Sequence, residues 1–213
     1  MIHCIGDSHV CVFSGKDKIC DDRYLNFQPH RIGPFLAYNL GNPNHSVYMR
    51  LFNELRVLDR KNDFVLLSFG EVDIRVHVIA QAKKQGKEIK EIVKEIVENY
   101  VSAIDKVSSL GFKTIVYCPP ATCNHYNPEA KVSSENYYPH LGKVEERNKA
   151  TLYFKDFIKN TLDPSILVVD LCDELIKEDL TTRGEYFMDG IHLSQKSMPI
   201  ILKKFERLGV PYE

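Results

Sequence analysis

The chain has 213 residues and nearly balanced charge, with 28 lysines and arginines against 29 aspartates and glutamates. Because there is no excess of positive charge, neither a nucleic acid nor an anionic membrane is expected as a partner. Hydrophobic residues make up 44% of the chain, and no apolar run approaches the roughly 20 residues of a membrane-spanning helix. With no repeat or linker visible, the sequence predicts one globular domain over residues 1–213.

The N-terminus has no basic flank and no small-residue cleavage site, so no signal peptide is indicated and a cytoplasmic location is expected. Several of the six cysteines lie in or beside apolar, strand-like runs, where free cysteine behaves as a small core residue, and this favours reduced thiols. Only Cys118 and Cys123 approach the spacing of a zinc-binding pair, and no second pair follows. We therefore expect chemistry that needs no metal and no other cofactor.

The first nine residues run from an apolar strand into Gly6-Asp7-Ser8. Gly6 permits a tight turn, and Asp7 and Ser8 favour one because their side chains bond to nearby backbone. The turn puts Ser8 at the carboxyl end of a strand, where open α/β sheets build their sites. Ser8 is therefore a candidate nucleophile, although Gly-Asp-Ser alone is also typical of an ordinary turn.

The next predicted elements lie before residue 60. Residues 9–30 are expected to be irregular and too polar for a core element. Residues 32–40 predict a short helix, with Pro34 in its first turn and Gly41 after its end. Residues 46–58 fit either a strand that leads into a helix or a helix throughout.

The remainder alternates strands with helices. Apolar runs predict strands at residues 63–70, 113–118 and 166–170, and three-and-four spacing predicts helices at about 88–110, at 143–162 and through Met198 and Phe205. Residues 119–142 are long for a connection and rich in aromatic side chains, which favours a binding loop. This alternation indicates an α/β fold with a parallel sheet covered on both faces, made of four strands and a possible fifth near residue 47.

Asp189 and His192 lie three residues apart, shortly before the closing helix. A serine nucleophile needs an imidazole to accept its proton and a carboxylate to orient that imidazole. The Gly-x-Ser-x-Gly elbow of α/β-hydrolases is absent, which disfavours that fold. The combination with Gly6-Asp7-Ser8 predicts Ser8, His192 and Asp189 as a catalytic set.

These two blocks, Gly6-Asp7-Ser8 and Asp189-Gly190-Ile191-His192, resemble those of the SGNH (GDSL-type) hydrolase family. The resemblance implies a three-layer α/β/α sandwich with a flavodoxin-like sheet, and esterase, lipase or carbohydrate O-acetyl esterase activity. It also implies Ser8 as nucleophile, His192 as base and Asp189 as the carboxylate that orients the base. Gly33 is similar to the glycine of the second block, whose amide joins that of Ser8 in the oxyanion hole.

The third block departs from the family pattern. Its Gly-x-Asn-Asp would fall on Gly70-Glu71-Val72-Asp73, so Val72 stands where an asparagine normally donates to the oxyanion. We hypothesise that Arg75 or His77 replaces this donor, or that Glu71, Asp73 and Arg75 bind polar groups of the substrate. A structural ion pair of Arg75 with Glu71 or Asp73 is the equal alternative.

Several other polar residues are weaker candidates for substrate binding. Asp7 and His9 border the nucleophile, and a surface-turn histidine is an equal alternative for His9. His125 and His140 lie on the long loop and are candidates for substrate contact, but histidines in such loops are more often simply exposed to solvent. Arg147 falls early in the helix beside this loop, where it would either clamp an anionic sugar or be an ordinary solvated arginine.

These features favour a serine-dependent acyl-ester hydrolase that removes acetyl or another small acyl group from a carbohydrate. The expected partner is a small-molecule or carbohydrate ester, and the oligomeric state stays open. An O-acyltransferase with the same catalytic set is the first alternative, because site shape decides between water and a sugar hydroxyl as acceptor. The second alternative is a glycan-binding protein that has a hydrolase fold but has lost catalysis. It is suggested by Val72, which stands in place of the oxyanion-donating asparagine. A flavodoxin-like nucleotide binder is disfavoured because no glycine-rich phosphate loop is present.

Overall fold

The computed structural model describes residues 1–123 and 140–213. Its strands all run parallel in one sheet, in the order β2-β1-β3-β4-β5. This order is the flavodoxin-like one, in which ligands bind at the carboxyl ends of the strands near the point where the order reverses. The prediction of a flavodoxin-like parallel sheet is therefore confirmed. The strands are β1 (Ile2–Gly6), β2 (Phe27–Arg31), β3 (Phe64–Ser68), β4 (Lys113–Tyr117) and β5 (Leu167–Val169).

Helices cover both faces of the sheet, as the three-layer prediction requires. Successive residues of a strand point to opposite faces, so Val65 and Leu67 of β3 join one hydrophobic core while Leu66 joins the other. The first core includes the buried faces of α1, α3 and α4, and the second includes that of α6. The helices are α1 (Ser46–Leu55), α2 (Ile79–Gln85), α3 (Ile89–Ser109), α4 (Val144–Thr161), α5 (Cys172–Leu175) and α6 (Met198–Arg207).

The fifth strand was predicted in the wrong place. It is β2, at the edge of the sheet, whereas the region near residue 47 belongs to α1. An edge strand tolerates Pro29 because one side of its backbone needs no hydrogen-bonded neighbour. In α1 the buried residues Val47, Leu51 and Leu55 recur every four positions, as on one face of a helix, whereas Met49, which a strand would place on the same face, is exposed.

Two further predictions about the first 41 residues were wrong. The part of residues 9–30 nearest the nucleophile is a 3₁₀ helix, Ser8–Ser14, whose Val10 and Phe13 are fully buried. The average composition of residues 9–30 is polar because of the charged residues that follow this helix, so composition alone does not reveal the apolar cluster. The predicted helix over 32–40 shrinks to a 3₁₀ helix at Ala37–Gly41, because Leu36 is still extended and Gly33 has a φ of 132°.

The six cysteines all lie in the described part of the chain, and five of them are buried; Cys4, Cys11, Cys20, Cys118 and Cys172 are free thiols. No grouping of three or more histidine, cysteine or carboxylate side chains suited to a metal ion occurs among residues 1–123 and 140–213. Within the same residues, no helix combines the length and the apolarity needed to cross a membrane.

Candidate active site

Ser8 stands at the carboxyl end of β1 because the chain turns sharply after Gly6. A side chain at Gly6 would not fit, since its Cβ would lie 2.1 Å from the carbonyl oxygen of Ser68 on the neighbouring strand β3. The side chain of Asp7 then accepts a hydrogen bond of 2.9 Å from the amide of His9 and so caps the short helix that begins at Ser8. The turn chemistry of Gly-Asp-Ser thereby fixes the position of the Ser8 hydroxyl.

A tight turn near the other end of the chain presents His192. One oxygen of Asp189, Oδ1, accepts hydrogen bonds from the amides of Ile191 (2.7 Å) and His192 (2.5 Å), which folds the four residues into a compact loop. The other oxygen, Oδ2, lies 2.8 Å from Nδ1 of the His192 ring. The imidazole is therefore held in one orientation by a single carboxylate that also builds its turn.

The structure brings Ser8, His192 and Asp189 into one hydrogen-bonded line. Nε2 of His192 lies 2.7 Å from Oγ of Ser8, a distance suited to proton transfer. Burial acts to raise the pKa of Asp189, but its hydrogen bonds with His192 outweigh this effect and lower the pKa to about 2. An ionised Asp189 accepts from Nδ1, which leaves Nε2 of a neutral ring free to accept the hydroxyl proton.

Gly33 approaches Ser8 because their strands are in parallel register. Gly6 of β1 pairs with Arg31 of β2, so Ser8 and Gly33 each lie two residues beyond the same register pair. Both line one open cavity of about 620 Å³, called here the serine cavity, together with His192. This is the arrangement expected if the amides of Ser8 and Gly33 face the same carbonyl oxygen.

The serine cavity has an apolar wall and a cationic wall. Val72, at the position where the family pattern has asparagine, is part of the apolar wall and has no polar group to donate. Arg75, one turn later on a π-helical segment (Asp73–Val78), lines the same cavity. Such segments change which side chains face a site and are frequent at functional sites. The apolar residues of the wall are Ile19, Ile32, Pro34, Val72 and Ile191.

A buried charge network lies behind Arg75. Its guanidinium donates to both carboxylate oxygens of Glu71, at 2.5 and 3.0 Å, so the predicted Glu71–Arg75 ion pair is present. Nε2 of His9 lies 3.2 Å from the same carboxylate, and the His9 ring packs against that of His192 with centroids 5.0 Å apart. Glu71 thus connects the cavity-lining Arg75 to a histidine that touches the proposed base.

Electrostatics inside this network favour charged forms. Burial acts to raise the pKa of Glu71, but the charges and hydrogen bonds of His9 and Arg75 outweigh it and hold the pKa well below its usual range. Burial likewise acts to lower the pKa of His9, and the carboxylates of Asp7 and Glu71 raise it instead. Because removal of one partner would leave a buried charge uncompensated, the network fixes Arg75 firmly in the cavity wall.

The structure does not bring Asp73 and His77 into the serine cavity. The buried carboxylate of Asp73 accepts hydrogen bonds from the amides of Ala37 (2.7 Å) and Tyr38 (3.2 Å), so it organises the segment after Gly33. His77 and Asp73 line a separate cavity, and burial lowers the pKa of His77. The hypotheses that His77 replaces the missing donor and that Asp73 binds substrate therefore gain no support from the lining of this cavity and stay predictions.

The residues beside the predicted binding loop have different outcomes. Arg147 is fully buried, not solvated, and does not line the serine cavity; it donates to the Thr122 hydroxyl and to the carbonyl of Gly142. His140 is half-buried near Arg75, and burial together with the charges of Arg75 and Arg147 lowers its pKa. His125 lies outside the described residues.

Sequence reasoning missed two arginines of the cavity wall, Arg31 and Arg50. Arg31 closes β2 two residues before Gly33, and it would have been found if the edge strand had been recognised. Arg50 belongs to the segment whose helix was left open against a strand. The helix brings its Nη1 within 3.0 Å of the carbonyl oxygen of Ile32, next to Gly33.

Comparisons with known proteins agree with this fold. A family model described as GDSL-like lipase/acylhydrolase matches residues 2–205. The structure of the acetyl xylan esterase AlAXEase superposes with a TM-score of 0.55 at 15% identity, over 99% of this chain and 100% of that one. A GDSL-like lipase from Bacteroides thetaiotaomicron gives a TM-score of 0.54 at 11% identity (98% and 88% covered), and an inhibitor-bound aryl esterase from M. smegmatis gives 0.51 at 14% (99% and 99%). At these identities the likenesses show a common fold, and no curated protein matches the sequence.

Proposed function

Because the chain belongs to the GDSL-like lipase/acylhydrolase family of ester hydrolases, we propose that it cleaves an acyl ester through a covalent intermediate on Ser8. The observation that carries this proposal is the line of hydrogen bonds from Asp189 through His192 to the Ser8 hydroxyl, with distances of 2.8 and 2.7 Å. It supplies a nucleophile, a base and a carboxylate to orient the base, at the carboxyl edge of the sheet.

The proposed reaction has two half-reactions. In the first, Ser8 Oγ attacks the ester carbonyl while His192 Nε2 takes the hydroxyl proton and then gives it to the departing alcohol. In the second, His192 takes a proton from water, which attacks the carbonyl carbon of the acyl-enzyme; the bond to Ser8 Oγ then breaks, His192 returns the proton to Oγ, and the acid is released. Asp189 stays ionised throughout and stabilises the imidazolium that forms in each half-reaction.

We assign stabilisation of the tetrahedral oxyanion to the amides of Ser8 and Gly33 and to the guanidinium of Arg75. The Val72 side chain has no donor to offer, and Arg75, three residues later in the chain, lines the same cavity. The ion pair with Glu71 supports this role, because a donor that is already oriented loses little free energy on reorganisation during the reaction.

For the substrate we propose a small acyl group, such as acetyl, on a sugar hydroxyl. The apolar wall of the serine cavity suits a short acyl chain, and the open, partly polar remainder suits a hydroxylated alcohol. The similarity in fold to a protein described as an acetyl xylan esterase supports the same assignment.

Labelling with a fluorophosphonate probe tests the nucleophile. We expect one covalent adduct, which peptide mapping assigns to Ser8, because its hydroxyl is hydrogen-bonded to a base and reaches an open cavity. Ser14 on the same short helix is a matched control, because its hydroxyl is buried and donates to the carbonyl of Cys11. An unlabelled protein, or an adduct on any other serine, would contradict the assignment.

Replacing Arg75 with alanine tests the oxyanion assignment. We expect kcat to fall about 100-fold, since the loss of one preorganised donor costs on this order, with a much smaller change in KM for a small neutral ester. Arg75→Lys keeps a charge and should recover part of the loss. A thermal melt of each variant separates this effect from loss of the buried pair with Glu71, and an unchanged kcat in folded Arg75→Ala would refute the role.

A further inference from the structure

We propose that the substrate carries a negatively charged group of the carboxylate or phosphate type, which Arg31 and Arg50 bind beside the scissile ester. This inference rests on the proposed function and specifies its substrate class. Its starting point is the charge of the serine cavity, whose lining, among residues 1–123 and 140–213, includes three arginines and no aspartate or glutamate. A neutral acetylated sugar would give these guanidinium groups nothing of opposite charge to bind.

The three arginines differ in how their charge is balanced. Arg75 is buried and paired with Glu71, so its charge is largely compensated within the protein. Arg31 and Arg50 are exposed, and within residues 1–123 and 140–213 neither forms an ion pair with a carboxylate. They therefore contribute uncompensated positive charge to a concave surface, which concentrates the field on an entering ligand.

Two carboxylates near these arginines, those of Asp21 and Glu54, contact groups other than the guanidinium groups. Asp21 accepts a hydrogen bond of 3.2 Å from the backbone amide of Arg31, not from its guanidinium. Glu54 lies one helical turn after Arg50 but is 3.3 Å from the ring of His30 instead. An arginine and a glutamate four residues apart on a helix commonly pair, so the separation of Arg50 from Glu54 indicates that Arg50 is directed elsewhere.

Arg50 is held in a defined position facing the cavity. Its Nη1 donates 3.0 Å to the carbonyl oxygen of Ile32, and its Cζ lies 5.2 Å from the centroid of the Phe35 ring. Both contacts are with residues that flank Gly33 and Pro34 of the cavity wall. A guanidinium restrained in this way keeps its remaining N–H groups for a ligand and loses little conformational entropy on binding.

The position of the two arginines relative to the nucleophile follows from the fold. Arg31 is the last residue of β2 and pairs with Gly6, two residues before Ser8 on β1. Arg50 reaches the next residue, Ile32, from α1. Both cations thus lie on the Gly33 side of Ser8, where a planar anion would meet two forked donors.

Matched pairs of esters test this proposal. On the acyl side, 4-nitrophenyl butyrate is compared with mono-4-nitrophenyl succinate, which adds one carboxylate. On the alcohol side, methyl 4-acetoxy-3-nitrobenzoate is compared with the free 4-acetoxy-3-nitrobenzoate. We expect kcat/KM to be at least about 10-fold higher for the anionic member of one pair, on the scale of charge-assisted hydrogen bonds, and the preference to weaken as salt is raised.

The variants Arg31→Gln and Arg50→Gln should each lower this preference several-fold, and the double variant should bring the ratio of anionic to neutral kcat/KM close to one. Arg56→Gln, at the exposed C-terminal end of α1, is the matched control and should leave the ratio unchanged. Competition by benzoate and by phenyl phosphate then separates a carboxylate from a phosphate ligand. If Arg50→Gln fails to fold, Arg31→Gln alone still decides.

The outcomes distinguish this proposal from the proposed function. Hydrolysis of both members of each pair at equal rates, lost in Ser8→Ala, would overturn the anionic substrate and leave the serine mechanism intact. A preference that survives in the double variant would also overturn it. Hydrolysis that does not depend on Ser8 would instead overturn the proposed function.

Discussion

Replacing Ser8 with alanine is expected to lower kcat for 4-nitrophenyl acetate by about 10⁴-fold or more, because the variant has no hydroxyl from which His192 can take a proton. The remaining activity would come from binding and from the oxyanion donors acting on water. Stability should change little, since the Ser8 side chain is half-buried and its hydroxyl bonds to His192 alone among the described residues. The measurement is a steady-state rate at saturating ester, with a thermal melt alongside.

Ser14→Ala is the control for this substitution. It removes a hydroxyl from the same short helix, but this hydroxyl donates to the carbonyl of Cys11 and has no path to His192. Its kcat should stay within a few-fold of the parent value. Full activity in Ser8→Ala would end the case for a serine nucleophile, whatever the geometry of the three side chains.

The second large effect is expected from Asp189→Asn, which should lower kcat by about 10⁴-fold near neutral pH. The amide oxygen of the asparagine can still accept from the backbone of Ile191 and His192, so the turn should persist. Its NH₂ group would then face Nδ1 of His192, where the carboxylate oxygen lies at 2.8 Å. A donor there turns Nδ1 into the acceptor, and Nε2 carries its proton toward Ser8 and cannot act as a base.

The tautomer argument predicts more than a loss of rate. Asp189→Asn should retain thermal stability close to that of the parent, whereas Asp189→Ala should lose both the turn and the activity, because neither backbone amide then has an acceptor. Asp173→Asn, which changes an exposed carboxylate on α5, controls for net charge. An Asp189→Asn variant within about 10-fold of the parent would show that the carboxylate does not set the tautomer.

The fold was predictable where local signals are strong and uninterrupted. The strands β1, β3, β4 and β5 consist mainly of apolar residues, and the buried faces of α3 and α6 are apolar stripes. The edge strand β2 lacks this signal, because it contains Pro29 and is only partly covered. Its existence depends on pairing with β1, a contact between distant residues that composition does not record.

The candidate site was predictable to the extent that it follows from turn chemistry. Gly6-Asp7-Ser8 and Asp189-Gly190-Ile191-His192 are short motifs whose side chains bond to their own backbone, so each predicts its local geometry. The roles of Ser8, His192 and Asp189 stay predictions until they are tested. The contact of His9 with Glu71 and the burial of Arg147 depend on packing between separate elements, and no spacing in the sequence reports them.

The two halves of the chain form two separate sets of adjacent strands in the sheet. Residues before Gly111, an exposed glycine between α3 and β4, form β2, β1 and β3 side by side, and those after it form β4 and β5. Ser8 belongs to the first part, and Asp189 and His192 belong to the second. Two polypeptides separated at Gly111 would each be inactive, because each lacks part of the catalytic set. Recovery of esterase activity on mixing would show that the two fragments associate through the pairing of β3 with β4.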